Sequence, residues 1–423
     1  MKPLAVFLNK VRAGTIQQDA SIRFTYDERY LALNDPTPLS LSLPLQPAAH
    51  NGRPVTSWIN GLLPADFDVR SRIAERTGVK ATNPAALLSA IGLDCPGAVQ
   101  ACDADRTDEV LTEQATLVPV DDSWISERLS RLRRDQASWQ VADERWSLGG
   151  GQAKFALTLA QDGGWYDPRG SAASTHIFKT GVPTAKYQAL NEHLCLEALR
   201  KVGLPTARTR YLNFDGQPAI VVERFDRERT GEEVHRLHIE DLCQALANQT
   251  TYERYGGPTA RQILELLGTH AGEMSRRRFV EALMCTYLIG APDGHARNYS
   301  LYLRGRQSAL APLYDIASSL PYDVAGDGIM HLRKVAMSIG GERTFGLVGV
   351  DHWRRFFAAN SVDSEWGFDA LSRYTQQLPD AVADACLEMI GTDGIDELRD
   401  RFANGVAWSC SRAIEALSTP PSR

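Results

Sequence analysis

The chain has 423 residues, 43% of them hydrophobic and 23% charged, a balance that supports two or three globular domains with substantial cores. A net charge of −6 supplies no broad basic field, which argues against unaided nucleic-acid binding. Seven cysteines, at 95, 102, 195, 243, 285, 386 and 410, are odd in number and lack C-x-x-C spacing, which points to a reducing cytoplasm and away from a zinc site.

In chain order, Met1–Leu8 turns polar at Asn9-Lys10, too short an apolar run for a signal peptide, and no later stretch reaches the roughly eighteen apolar residues of a membrane span. Residues 1–105 read as a small α/β domain with a hairpin-like start and helices near 65–77 and 84–91. Residues 106–145 are rich in charge, and the run Glu127–Arg134 reads as a solvated connecting helix rather than a nucleic-acid patch, because charge runs commonly form solvated faces. Next, Gly149, Gly150 and Gly151 precede Gln152, Ala153, Lys154 and the apolar run Phe155–Leu159, so a glycine triplet sits at the entry to a strand. Glycine lets backbone N–H groups approach a phosphate closely, although such triplets also serve in flexible loops. Thr175–Lys179 is a short strand ending in a lysine, either a phosphate contact or a solvated charge. Tyr187–Val202 places Leu190, Leu194, Ala198 and Val202 on one helical stripe; Glu192, flanked by apolar neighbours, either pairs with Lys179 or faces solvent. Pro218–Asp226 is a buried-looking β run that turns abruptly polar, as a hinge does when its backbone must bond an adenine edge.

The most specific chemistry lies further on. Asp293 and Asn298 are five positions apart in Asp293-Gly294-His295-Ala296-Arg297-Asn298, and Asp315 follows seventeen residues later. Phosphoryl transfer needs an aspartate to accept the substrate hydroxyl proton and two oxygen ligands for magnesium, and these three residues supply those parts in the order of a protein-kinase site. Neither His-Arg-Asp nor Asp-Phe-Gly is present, and a turn at Asp293-Gly294 with a helix-capping Asp315 is the competing reading. Between them, Tyr299–Leu303 and Ser308–Leu313 flank Arg304–Gln307 as a predicted β-hairpin, which would return Asp315 to the neighbourhood of Asn298. Trp353–Ala359 and Ala381–Ile390 have helical apolar spacing and are expected in the core, with a partner surface at Trp353 and Phe356-Phe357 as the alternative. The tail from residue 416 is expected to be disordered.

Together these segments resemble one family, the HipA toxins, serine/threonine kinases of bacterial type II toxin–antitoxin modules. The resemblance also covers Ser147–Leu157, Glu223-Arg224-Phe225-Asp226-Arg227, Glu240–Gln244, Tyr255-Gly256-Gly257-Pro258, Leu288–Ala291, Pro38–Leu45, Asn60–Pro64, Leu87–Gly92 and Pro96–Val99. It implies an α+β, bilobed protein-kinase-like fold of the phosphoinositide 3/4-kinase type: a small lobe at 146–228, an all-helical large lobe at 229–415, and the small α/β domain in front. It further implies Asp293 as catalytic base, Asn298 and Asp315 as magnesium ligands, residues 149–154 as the ATP phosphate loop, Lys179 as the phosphate-contacting lysine, and Glu223, Arg224 and Phe225 as the adenine hinge. His295 aligns with a family histidine near the nucleotide, with a structural hydrogen bond as the alternative. Ser147 aligns with the autophosphorylated serine. The expected partners are a HipB-like helix-turn-helix antitoxin, operator DNA through that antitoxin, and an aminoacyl-tRNA synthetase, most often the glutamyl enzyme, as substrate. One departure is Ala153, where the family commonly has glutamate. It keeps open a catalytically weak corepressor, and the D-x-x-x-x-N spacing keeps open a small-molecule kinase.

Overall fold

The computed structural model describes residues 2–19, 21–112, 115–140, 144–231, 233–322 and 333–418. They fall into two compact units, Met1–Pro183 with Arg210–Gln249 and Ser300–Ser308, and Thr184–Thr209 with Thr250–Tyr299 and Ala309–Arg423.

The first unit begins with β1 (Leu4–Leu8), β2 (Val11–Gln18), β3 (Ile22–Tyr26), β4 (His50–Asn51) and β5 (Val99–Asp103), an antiparallel sheet in the order β4-β3-β2-β1-β5. Every residue of β1 is buried, as its uninterrupted apolar sequence and its place between β2 and β5 require. Helices Phe67–Thr77 and Pro84–Ile91 start where the sequence supplies caps: Asp66 accepts from the Asp68 and Val69 N–H groups, and Asn83 from that of Ala86. A second sheet contains β6 (Thr116–Val120), β7 (Lys154–Leu159), β8 (Trp165–Arg169), β9 (His176–Lys179), β10 (Thr209–Phe214) and β11 (Gln217–Glu223), in the order β10-β11-β9-β7-β8-β6. One apolar cluster joins the two sheets, with Phe24, Trp58 and Leu88 alongside Phe155, Phe178 and Val221. The predicted front domain and small-lobe sheet therefore share a core. The hairpin of β12 (Arg227–Thr230) and β13 (Glu233–Arg236) follows, and β14 (Ile239–Asp241) pairs with β15 (Ser300–Arg304), itself next to β16 (Gln307–Leu310).

The charged run at 127–134 lies in the helix Asp122–Arg134, but this helix is not simply solvated. It buries Ile125, Leu129 and Leu132 together with Arg128, whose guanidinium makes a two-pronged contact with Glu144 at 2.7 and 2.8 Å and donates to Trp139 O. The short segment 106–145 also contributes the edge strand β6.

Among its described residues the second unit is mainly helical, with a hairpin of β17 (Lys334–Ile339) and β18 (Glu342–Thr344). Its helices are Gln188–Lys201, Ala260–His270, Gly272–Leu288, Val350–Ala359, Ser364–Leu387 and Ile395–Ser418. The first of these is buried on nearly every side and packs on Ser364–Leu387. Asn191 on it exchanges two bonds with Ser318, at 2.7 and 3.0 Å, which explains why this helix clusters with the helical unit although its sequence lies inside the predicted small lobe. Conversely, residues 229–249 and 300–308, predicted in the large lobe, belong to the first unit because their strands pair there. Trp353, Phe356 and Phe357 are buried, which resolves their role as core rather than partner surface. The last helix runs to Ser418, and the rest of the expected tail lies outside the described residues.

Candidate active site

The glycine segment is held from both ends by the first unit. Ser147 is fully buried; its N–H donates to Asp94 O at 2.8 Å and its hydroxyl to Leu62 O at 2.5 Å. Gly150 pairs with Pro64 and its carbonyl accepts from Ala65 N–H at 2.8 Å. Gly150 has φ +87°, which favours glycine, and a Cβ on Gly149 would lie 2.7 Å from Gly61 O. A Cβ on Gly151 would meet nothing within 4 Å, so that residue borders open space. The Lys154 ammonium donates to Gly149 O at 2.9 Å and sits 5.3 Å from the Trp139 ring, which places a cation inside the loop. A narrow glycine cradle with an internal lysine fits a polyphosphate. Ala153 is different: its side chain belongs to the apolar core, so only its main chain can serve the loop, and the glutamate missing there would have had to be buried.

Lys154 on β7 and Lys179 on β9 are directly opposed, and Lys179 is in turn opposite Ile220 on β11. Side chains alternate along a strand, so the two lysines share one sheet face while His176, Phe178 and Phe155 occupy the other. Both lysines are at most 6% exposed. Glu223 pairs with His176, so its side chain leaves the sheet opposite Lys179, into a cleft of about 360 Å³ that His176, Arg210 and Arg229 also line. The hinge could then meet an adenine only through main-chain groups at Glu223. Arg224 is a correction to the sequence reading. Its guanidinium is buried against Asp94, Asp226, Ser174 and Cys95 O, its N–H donates to Thr175 O, and its carbonyl accepts from Arg227 N–H. Every polar group of Arg224 is committed to the fold. Phe225 is half-buried, with its carbonyl taken by the Tyr302 hydroxyl.

The acidic residues lie in the second unit. Asp293 opens a tight turn in which its carbonyl accepts from the His295 N–H and from Asn298 Nδ2, both at 2.8 Å. Committing the amide nitrogen of Asn298 leaves Oδ1 as the atom that could ligate a cation. Asp315 has φ 58°, a left-handed conformation that aspartate tolerates better than most residues. It lies near enough to Asp293 for its charge to raise the Asp293 carboxyl. Desolvation is the larger cause of that rise, although about half the Asp293 side chain meets solvent. His295, Tyr252 and Arg254 oppose it. His295 Nε2 is 3.6 Å from Asp293 Oδ1, and its buried Nδ1 has no partner among the described residues. Glu192 is wholly buried on Gln188–Lys201, so the exposed-charge alternative for it falls.

Sequence reasoning missed Tyr252. Its hydroxyl donates to Asp293 Oδ1, its ring meets His295 edge-on at 4.7 Å, and Arg254 stacks over it at 4.5 Å. The adjacent Glu253 fixes the turn by accepting from Ser338 N–H, the Ser338 hydroxyl and Arg343 at 2.7–2.9 Å. The only available signal was the tyrosine, arginine and glycine clustering of Tyr252–Gly257, which has no motif meaning by itself. Asp94 was also missed, because its partners are some eighty to 140 positions away in sequence.

All seven cysteines are buried free thiols, and no helix among the described residues is long and apolar enough to cross a membrane.

Comparison with known proteins identifies the family and the fold. The HipA N-terminal domain model matches residues 4–102, and the HipA-like C-terminal domain model matches residues 146–389. The Sinorhizobium fredii protein Y4mE is 31% identical over 409 residues, covering 93% of this chain and 94% of its own. The serine/threonine-protein kinase toxin HipA of Shewanella oneidensis is 27% identical over 377 residues, covering 83% and 81%. HipA solved from the Shewanella oneidensis MR-1 toxin–antitoxin system, in complex with HipB and operator DNA, superposes with a TM-score of 0.83 over 97% of both chains at 22% identity, a likeness of fold. With both of its domain models matched in order and across most of its length, the chain belongs to the HipA family.

Proposed function

We propose that this protein is an ATP-dependent serine/threonine protein kinase, the toxin of a HipBA-type module, acting on a translation protein and switching itself off at Ser147. The observation that carries the reading is the grouping of Asp293, Asn298 and Asp315 in one unit, with Tyr252 and His295 against the Asp293 carboxyl. Asp293 accepts the proton of the substrate hydroxyl; desolvation and the Asp315 charge raise its carboxyl, the direction that a base requires. Asn298 and Asp315 hold magnesium, which when bound neutralises charge on the transferring phosphates. Lys154, Lys179 and the glycine main chain bind the phosphates of ATP, and main-chain groups at the hinge meet its adenine.

The Ser147 hydroxyl is buried on Leu62 O, so its phosphorylation requires the loop to leave both anchors. A phosphoserine carries nearly two negative charges and cannot return to that site, which keeps the loop out and the kinase inactive. The relatives support the partners: a HipB-like helix-turn-helix antitoxin, and operator DNA reached through it, in keeping with the net charge of −6. An aminoacyl-tRNA synthetase, in the first instance the glutamyl enzyme, is the proposed substrate, and a cytoplasmic location follows from that target.

The test is radiolabelled phosphate transfer from ATP–magnesium, comparing the native chain with Asp293→Asn, with and without a bacterial glutamyl-tRNA synthetase. Loss of the base cuts the rate by a factor of about 10² to 10⁴. Label on the synthetase that disappears in Asp293→Asn supports kinase and target together. Label on Ser147 alone keeps the kinase and removes the target. No label from folded, nucleotide-bound protein sinks the kinase reading in favour of a corepressor.

A further inference from the structure

The hinge and the glycine loop lie far apart in sequence, yet both are tied to one residue of the amino-terminal sheet region. Asp94 is 1% exposed and accepts five hydrogen bonds through its two carboxylate oxygens. Oδ2 receives the Ser174 N–H at 3.0 Å, the Ser174 hydroxyl at 2.7 Å and Arg224 at 3.2 Å. Oδ1 receives Arg227 at 2.8 Å and Arg236 at 3.0 Å. Three arginines therefore converge on one buried carboxylate, which holds its carboxyl well below the usual range. Around it the main chain joins in: Cys95 O accepts from Arg224 and Arg227, Gly97 O accepts from Arg227, and Gly97 N–H donates to Asp226 Oδ2 at 2.7 Å. Arg224 lies between Glu223 and Phe225, so this network fixes the hinge main chain. The same Asp94 presents its carbonyl to the Ser147 N–H at 2.8 Å and pairs with Trp146, which fixes the entry to the glycine loop.

A residue that served only to bury charge would not need to stand at this junction. We propose that Asp94 is a positioning residue for nucleotide binding: the amino-terminal domain presets the separation of hinge and phosphate loop, and Asp94 is the joint through which it does so. The proposal rests on the kinase reading above and assigns the amino-terminal domain a part in binding ATP. Asp94 touches no reacting atom. Its carboxylate acts through Arg224 and its main-chain carbonyl through Ser147, so loss of the carboxylate charge loosens the hinge side of the joint, weakens nucleotide affinity and leaves the transfer step nearly intact.

The test is calorimetric titration of ADP–magnesium into the full chain, with KM for ATP and kcat measured alongside. Asp94→Asn keeps the shape and removes the charge; Kd and KM rise at least tenfold while kcat stays within threefold. A purely structural role is separated by Asp94→Asn combined with Arg236→Met, which restores the charge balance of the cluster. Arg236 bonds Ser171 rather than the hinge, so the double variant regains melting temperature and not affinity. Should Asp94→Asn fail to fold, Ser174→Ala removes only the hydroxyl shared by Asp94 and Arg224, and affinity falls about threefold. Native affinity in Asp94→Asn, in the double variant, or in Ser174→Ala where the aspartate variant does not fold, overturns the proposal. Failure of the wild-type chain to bind ADP–magnesium overturns instead the kinase reading beneath it.

Discussion

Glu240 offers a prediction whose sign is unusual for an acidic residue. It lies on β14, is 1% exposed, and uses Oε1 to accept the Leu41 N–H at 2.8 Å, while Oε2 has no partner among the described residues. Burial without a cation pushes its carboxyl up to about 8 from an ordinary 4.5, against the Leu41 bond and a Ser40 hydroxyl. The folded state thus holds a proton that the unfolded chain releases, so this group's contribution to stability is full below about 4.5 and is lost as pH rises to about 8. At about 1.36 kcal/mol per pH unit, that interval is worth about 5 kcal/mol, of which about 3 kcal/mol falls between pH 6 and 8. Glu240→Gln keeps the carbonyl for Leu41 and cannot ionise. Urea unfolding of both chains at pH 6 and pH 9 isolates the group, because all other titrations cancel in the difference. The variant should gain about 3 kcal/mol on the native chain from pH 6 to pH 9. Parallel pH profiles for the two chains would mean that Glu240 is ionised in the fold and would refute the reasoning.

Four further changes test other parts of the structure. Arg128→Met leaves the buried Glu144 carboxylate without its guanidinium and should cost about 3–5 kcal/mol in denaturant unfolding, whereas Arg23→Ala, at an exposed pair with Asp19, should cost under about 1 kcal/mol. Tyr252→Phe removes the hydroxyl from Asp293; kcat for phosphate transfer should fall about tenfold with nucleotide Kd unchanged, and an unchanged kcat would make Tyr252 a packing residue. Gly149→Ala forces a Cβ to within 2.7 Å of Gly61 O, so amide hydrogen exchange at Ser147 and Gly150 should quicken by about tenfold or more, and unchanged protection would show that the loop has room to spare.

What the sequence disclosed followed the range over which its signals act. Strands β7, β9 and β11 and the helix Gln188–Lys201 were legible because apolar periodicity is local, and so was the β15–β16 hairpin that carries the chain from Asn298 back towards Asp315. The electrostatic link between Asp293 and Asp315 is the kind of proximity such a hairpin produces. Boundaries between units were not legible, because they depend on which core a segment joins: Phe155 and Phe178 share a cluster with Phe24 and Trp58, and Asn191 finds Ser318. The motifs Pro38–Leu45 and Glu240–Gln244 looked like signatures without a mechanism. In the fold they clasp each other: Leu41 donates to Glu240, the Ser42 hydroxyl donates to Gln244 O at 2.8 Å, and Gln244 Nε2 donates to Trp58 O at 2.8 Å. Arg224 failed for a related reason. A hinge motif specifies a run of residues, but strand alternation and distant carboxylates decide which side chains face the ligand. Here Asp94 and Asp226 claim the Arg224 guanidinium, so that residue can serve a hinge only as part of its backbone frame. A site motif therefore identifies the backbone segment that serves the ligand more securely than the side chains, whose direction is set by partners that the motif does not contain.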